Sequence, residues 1–390
     1  MVYSRRMKRV ALYYPWIYVR SGVERTILEL VRRSRHQYTV FTNHYDAGQT
    51  YPQFRAFERL VVLRKVPVER SFGTVLRAAS IIVRQKLPLD SFDALLISSE
   101  GLGDLVTFRN SSKPVFCFCH TPVRPVYDPV YRRVWLQRHP RSRLMLGMFS
   151  KLYHAVTRAA WRRYRRVFVN SEEVRGRVLT GGLCQPDRIE VLHPGVDVPP
   201  PSVSAQDVSE PYFLCAGRIK WTKNVELAVR AFVEFRRASG APGGWRLVVA
   251  GGLDAGSREY LAQLREMSDG EAVSYHQDPS DDELAELYAR SYAVVFPSLN
   301  EDWGIVPLEA MAHGKPVLAV NSGGPTESVV HGETGFLLEP SAETFAERMV
   351  WLAEHPDAVH RMGAMARARA TLFSWDAFVR RLDDYVETLA

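Results

Sequence analysis

The chain has 390 residues, 46% of them hydrophobic, enough to bury two cores of about 150 to 200 residues each. Its net charge of +8 conceals an asymmetry: residues 1–200 hold 34 Lys and Arg against 15 Asp and Glu, whereas residues 201–390 hold 17 against 28. Four cysteines without CxxC spacing exclude a disulfide scaffold and point to a reduced, cytoplasmic setting, and no apolar run approaches the roughly 20 residues that cross a bilayer.

RVALYYPW (9–16) reads as a first strand rather than a secretory signal, because its apolar run is short and ends at Pro15. SGVERTILELVRR (21–33) turns from loop into helix, and YTVFTN (38–43), RLVVLRKV, FDALLISS and KPVFCFCH follow as strand-like runs. RVFVNSEEVRGRVLTGG gives a strand, Ser171 as a helix N-cap and a Gly-Gly stop, and DRIEVLHPGVD closes the first half. A proline-rich segment without apolar periodicity, 199–211, is the expected linker.

Beyond it the rhythm restarts: strand YFLCAGR, helix NVELAVRAFVEFRRASG, strand GWRLVVAGG, a helix from Ser257, strand AVSYHQ, helix DELAELYARS, strand YAVVFPS, strand KPVLAVNSGG and strand ETGFLLEP. Ser280 with Glu283 fits a capping box rather than a metal motif. Strand–helix alternation occurring twice predicts an α/β protein of two doubly wound, Rossmann-like domains facing each other across a cleft, with ligands beyond the carboxyl ends of the strands. The expected division is 1–198, a linker 199–211, 212–372, and a C-terminal helix at 373–390 able to pack back on the first domain. In that last stretch Trp375, Phe378 and Leu382 recur at the spacing of one buried helix face.

Three constellations carry candidate chemistry. In GRIKWTKN (217–224) a strand exits through a glycine turn into Arg218, Lys220 and Lys223, with Asn224 placed to cap the next helix; cations beside a helix start compensate a diphosphate. Gly22, between a strand and a helix, lets backbone approach a phosphate. In EDWGIVPLE (301–309), Glu301 lies in a strand-to-helix loop, the N–H groups of Trp303, Gly304 and Ile305 open the helix, and Glu309 on its first turns suits a vicinal diol such as a ribose. Neither GxGxxG nor GxxxxGK[ST] occurs, which removes sequence support for dinucleotide oxidoreductases and P-loop ATPases.

The ordered set SGVE (21–24), HTPVRPVYD (120–128), NSEEVR (170–175), HPGVD (193–197), GR followed by Lys223, EDWGIVPLE, SGGPTE (322–327) and GETGFLLEP (332–340) resembles the retaining glycosyltransferases of family 4, of GT-B fold, in their mannosyltransferase-like branch. The resemblance runs from about residue 9 to about residue 385 and implies a set of roles. Arg218 and Lys223 would hold the donor diphosphate; Glu309 would take the ribose; Glu301 with the backbone of Trp303, Gly304 and Ile305 would orient the donor sugar. Gly22 would approach the phosphate and acceptor side, and His120 would hydrogen-bond the transferred sugar. Catalysis would then fall to His120, Glu301, Arg218 and Lys223, with no metal and no cofactor beyond the nucleoside diphosphate sugar as co-substrate. GDP-mannose is the donor implied and the acceptor a hydroxyl of a glycan or of a polyprenyl-diphosphate-linked chain, the alternative being a UDP-, dTDP- or ADP-sugar donor with a small-molecule acceptor. Three places depart from the common family pattern: Trp303 stands where relatives often have Phe and can narrow the sugar or base region, His193 where many have Asn, and Val-Arg-Pro-Val follows HTP where relatives often show Arg-Tyr.

Between Pro129 and Ser171 there are eleven Lys or Arg and no acid, including WRRYRR at 161–166, interleaved with Trp135, Leu144, Met145, Leu146, Met148, Phe149, Leu152 and Tyr153. Such a mixture suits an anionic membrane surface at the cytoplasmic face or a lipid-diphosphate acceptor. A nucleic-acid partner finds no reader motif here. A phosphorylase would require a pyridoxal lysine and a far longer chain, and a non-catalytic GT-B binding subunit would have no reason to keep Arg218, Lys223, Glu301 and Glu309 together.

Overall fold

The structure, a computed structural model, describes residues 6–69, 71–200, 210–238 and 243–389. The chain divides into two compact units, residues 1–194 with 375–390, and residues 195–374. Most of the expected linker, residues 201–209, lies outside the described residues.

The strands of the first unit are β1 (Arg9–Tyr13), β2 (Trp16–Ile17), β3 (Gln37–Thr42), β4 (His44–Tyr45), β5 (Leu60–Val62), β6 (Ala94–Ser99), β7 (Val115–Cys119), β8 (Arg166–Val169) and β9 (Ile189–Val191). Seven form a parallel sheet in the order β5-β3-β1-β6-β7-β8-β9, and β2 and β4 make a small separate pair. All residues of β6 and β7 are buried, as a parallel sheet covered on both faces requires. One face of β7 turns Cys117 and Cys119 into the core; the other turns Phe116 and Phe118 toward Tyr385 and Phe378 of the C-terminal helix Trp375–Glu387. That helix is fastened to the first unit by Arg33 to Asp376 at 2.9 Å, Arg35 to Asp384 at 2.7 Å and Arg381 to Glu190 at 2.6 Å. Helix Phe72–Arg84, which the strand-like rhythm of the sequence does not reveal, covers the sheet between β5 and β6.

WRRYRR does not form one basic face. Trp161 and Tyr164 turn inward and donate hydrogen bonds to the buried Asp104, at 2.7 and 2.6 Å, while Arg162 and Arg165 stay exposed. Burial raises the Asp104 carboxyl from 3.8 to about 6, outweighing the hydrogen bonds that lower it. A carboxyl whose folded pKa lies above its unfolded value favours the folded state below the unfolded pKa, and the advantage is lost as pH rises through the folded one. The urea stability of the wild type relative to Asp104→Asn should therefore fall by about 2 kcal/mol between about pH 4 and pH 7. A flat difference over that range would mean Asp104 does not titrate in the fold.

In the second unit β10 (Tyr212–Ala216), β11 (Arg246–Gly251), β12 (Val273–Gln277), β13 (Ala293–Phe296), β14 (Val317–Val320) and β15 (Gly335–Leu338) form a parallel sheet in the order β12-β11-β10-β13-β14-β15. The chain steps from β10 to β11 and β12 on one side and then returns to lay β13 on the other. The strand order thus reverses between β10 and β13, which opens a crevice at their carboxyl ends. The capping box of Ser280 and Glu283 forms as its spacing predicts.

Candidate active site

The reversal point of the second sheet gathers the sequence motifs. β10 runs out through Gly217, whose φ is 121°, and a Cβ on neighbouring Gly251 would lie 1.9 Å from the Gly217 carbonyl oxygen, so two backbones meet where no side chain fits. The next residues bring Lys223 to Glu301, in the loop after β13, with Nζ 2.6 Å from the carboxylate and side chains 22% and 13% exposed. Asn224 is not the side-chain cap that its position suggests. It adopts a left-handed conformation with φ of 53° and donates its amide to the Pro297 carbonyl at 3.0 Å, tying the loop after β10 to the loop after β13. Arg218 is exposed on the same rim, its stem beside Gly252 at the end of β11, and Lys220 is paired with Asp254 at 3.1 Å.

A third loop braces Glu301 from behind. Gly324 donates its backbone N–H to the Glu301 carbonyl at 2.8 Å, and Ser322 accepts from the Asn300 N–H at 3.0 Å. A Cβ on Gly324 would lie 2.2 Å from the Trp303 carbonyl oxygen, so SGGPTE holds glycines because the EDW loop lies directly on them. The sequence shows both motifs but not that one is the seat of the other.

Helix Ile305–Ala312 starts from Gly304, whose φ of 85° few other residues adopt. The Trp303 indole does not narrow the site as its size suggests: it is 3% exposed and packs on Phe373 in the core, leaving only its peptide unit to the loop. Ile305 is half-buried at the helix start. Glu309 is half-buried one turn on, and one carboxylate oxygen accepts from the Tyr288 hydroxyl at 2.9 Å. Burial, reinforced by the Glu309 charge, pushes the Tyr288 phenol well above its usual range, so it remains the donor. Sequence reasoning missed Tyr288, which no motif marks.

In the first unit His120 follows β7, which pairs with β6, whereas Gly22 follows the short strand β2 of the separate pair. His120 ends β7, is 6% exposed, and sits 2.8 Å by Nε2 from the Ser98 hydroxyl with its ring edge-on to Phe118. Burial lowers its pKa to about 3, so the imidazole is neutral at any working pH and serves as a hydrogen-bonding group rather than a charged acid. Gly22 is the first residue of helix Gly22–Arg33, capped by Ser21, and lies exposed. Asp128, the last residue of HTPVRPVYD, caps helix Pro129–Arg138 and pairs with Arg124 at 2.7 Å and with buried Arg177 at 3.3 Å. Burial alone would raise this carboxyl, but Arg177 and Arg124 hold it below its usual range. Arg177 also donates to Thr121 at 3.1 Å, so the helix opened by NSEEVR fastens the backbone that follows His120. Among the described residues no group of three or more His, Cys, Asp or Glu converges as metal ligands would.

Two parallel-sheet units, one with cations and carboxylates collected at its reversal point, correspond to a GT-B fold. Solved structures agree on the fold: sucrose-phosphate synthase from Thermosynechococcus elongatus superposes with a TM-score of 0.76 at 20% identity over 98% of this chain and 99% of that one. Anabaena HepE in complex with UDP gives 0.75 at 17% identity over 98% and 100%. Residues 20–199 match the model for Glycosyltransferase Family 4 and residues 201–369 that for Glycosyl transferases group 1, and the chain belongs to family 4. It is 39% identical over 188 residues to the alpha-1,3/1,6-mannosyltransferase ALG2 of Mus musculus, 45% of each chain. To the protein of that name from Rhizomucor pusillus it is 26% identical over 420 residues, covering 96% of this chain and 90% of the relative. The chain spans about half the length of the mouse relative it matches.

Proposed function

We propose that this protein transfers mannose from GDP-mannose, with retention of configuration and without a metal, to a hydroxyl of a glycan carried on polyprenyl diphosphate at the cytoplasmic face of a membrane. The observation that carries the reading is the pairing of Lys223 with Glu301 at the reversal point of the second sheet. A phosphate-binding cation and a sugar-orienting carboxylate there stand within one hydrogen bond of each other. The names of the aligned relatives support mannose.

In this reaction the bond between the sugar anomeric carbon and the diphosphate oxygen breaks, and a bond to the acceptor oxygen forms on the same face. The acceptor hydroxyl proton passes to the departing phosphate oxygen. Arg218 and Lys223 stabilise the charge growing on that phosphate, where fixed cations lower the barrier most. Glu301 orients the sugar hydroxyls, neutral His120 hydrogen-bonds the sugar while it carries oxocarbenium character, and Glu309 holds the ribose. No separate acid–base pair of the hydrolase kind is required.

The test is to incubate purified protein with one nucleotide sugar at a time and measure released nucleoside diphosphate, alongside thermal protection by GDP, UDP, dTDP and ADP. GDP should protect and GDP-mannose should turn over in the presence of a lipid-linked acceptor. Protection by UDP alone would overturn the donor, and protection by none would overturn the class.

A further inference from the structure

Helix Arg143–Trp161 carries two apolar stripes where folding needs one. Leu146, Tyr153 and Trp161 are 2%, 5% and 2% exposed and face the core. On the opposite side Leu144, Met145, Met148 and Leu152 are 78%, 47%, 67% and 63% exposed. At about 100° per residue these four fall in one arc roughly 100° wide, centred away from the buried stripe. Ten large hydrophobic residues are exposed among the described residues, and four of them share this single face, so the exposure is clustered rather than scattered. A fifth, Leu76, is 56% exposed on helix Phe72–Arg84, which leans on the same helix through Phe72 against Phe149.

The charges around the stripe have one sign. Arg138, Arg141, Arg143, Lys151 and Arg158 are exposed, and no acidic residue occurs from Pro129 to Ser171. We infer that this face docks on an anionic bilayer surface, the four side chains entering the boundary between headgroups and acyl chains while the cations meet lipid phosphates. A second copy of the chain would set arginines against arginines across a symmetric contact, which charge complementarity disfavours. A polynucleotide would meet the cations but has no use for four long apolar side chains between them.

The docking face has a defined place in the first unit. Tyr153, on the buried side of the helix, reaches the carboxyl end of β6, where a Cβ on Gly101 would lie 2.9 Å from its hydroxyl. The helix is therefore fastened to the sheet edge that also bears His120. Bilayer contact through Leu144, Met145, Met148 and Leu152 brings that edge to the lipid surface. Among the described residues no helix is long and apolar enough to cross a membrane, so contact through this face is interfacial. The benefit to a lipid-linked acceptor rests on the function proposed above; the docking itself does not.

The experiment sediments the full chain with vesicles of phosphatidylcholine alone and of phosphatidylcholine mixed equally with phosphatidylglycerol. The wild type should partition onto the anionic vesicles at least about tenfold more strongly, with added salt weakening it. A variant carrying Leu144→Gln, Met145→Gln, Met148→Gln and Leu152→Gln should lose at least about tenfold in partitioning. It should keep the wild-type circular dichroism and its turnover on a water-soluble acceptor, because all four residues lie on the surface. Equal binding to both vesicle types, or wild-type binding by the variant, overturns the inference, as does a wild-type dimer that the variant converts to monomer. Vesicle binding with no sugar transfer by any form would instead sink the proposed reaction and leave the docking standing.

Discussion

Glu301→Gln is expected to bind GDP severalfold more tightly than the wild type while turning over about a hundredfold more slowly. Lys223→Ala should lose on both counts, falling about a thousandfold in kcat/KM. The reason is the 2.6 Å contact between the two side chains. Lys223 spends its charge on Glu301, and a diphosphate must draw that charge away before it can be held. Neutralising Glu301 removes the competitor and also a negative charge beside the incoming phosphates, so ground-state binding improves. In the proposed reaction the same change removes the carboxylate that orients the sugar, so turnover falls. Lys223→Ala instead deletes the cation proposed to meet the departing diphosphate and leaves a half-buried carboxylate facing it, a loss compounded by repulsion. Calorimetry with GDP and steady-state turnover of the nucleotide sugar read the two effects separately. Weaker GDP binding by Glu301→Gln would show that Glu301 and the diphosphate do not share Lys223.

Much of this site is legible in the sequence because its elements are local. An apolar strand, a glycine turn and a cation occur within eight residues around Arg218 and Lys223, and the two glutamates of EDWGIVPLE lie eight positions apart. The parallel sheets are equally legible, since strands buried on both faces must be apolar throughout. The rest depends on contacts between distant segments. Gly324 looks like any loop glycine until the Trp303 carbonyl is found on top of it. Asn224 has a capping residue's identity and position, yet its left-handed backbone sends the amide to Pro297 instead. The Trp303 ring suggests a pocket wall by size alone, and only its packing on Phe373 shows that it belongs to the core. In the basic stretch, composition reveals cations and apolar groups together, but not that Leu146 and Tyr153 are spent on the fold while Leu144 and Met148 are not. The amphipathic spacing of Trp375, Phe378 and Leu382 announces a buried face without saying that it covers Phe118 of β7, more than two hundred positions earlier.

Glu309→Ala is expected to cost about a hundredfold or more in kcat/KM with a ribonucleotide sugar, and Tyr288→Phe about tenfold, mostly through KM. In the proposed donor site, ribose binding to Glu309 requires a carboxylate fixed in rotation, since a vicinal diol needs both hydrogen bonds at once. Tyr288 provides the fixing: its hydroxyl, 2.9 Å away, occupies one carboxylate oxygen. The phenol is itself held still, 2% exposed, with its ring stacked on His313 at 5.3 Å. His313 in turn places Nδ1 2.8 Å from the Glu309 carbonyl, so ring, carboxylate and helix end form one rigid group. Removing the phenol oxygen withdraws one of the contacts that hold the Glu309 side chain, which then samples more often rotamers that reach only one ribose hydroxyl. A donor with a 2′-deoxyribose already lacks the second hydrogen bond, so it should be nearly indifferent to Tyr288→Phe, whereas the ribose donor should lose its advantage. A merely structural role for Tyr288 would weaken both donors by the same factor. Comparing KM for the ribose and 2′-deoxyribose forms of one nucleotide sugar, in the wild type and in Tyr288→Phe, decides between them, and equal loss on both would remove Tyr288 from the site.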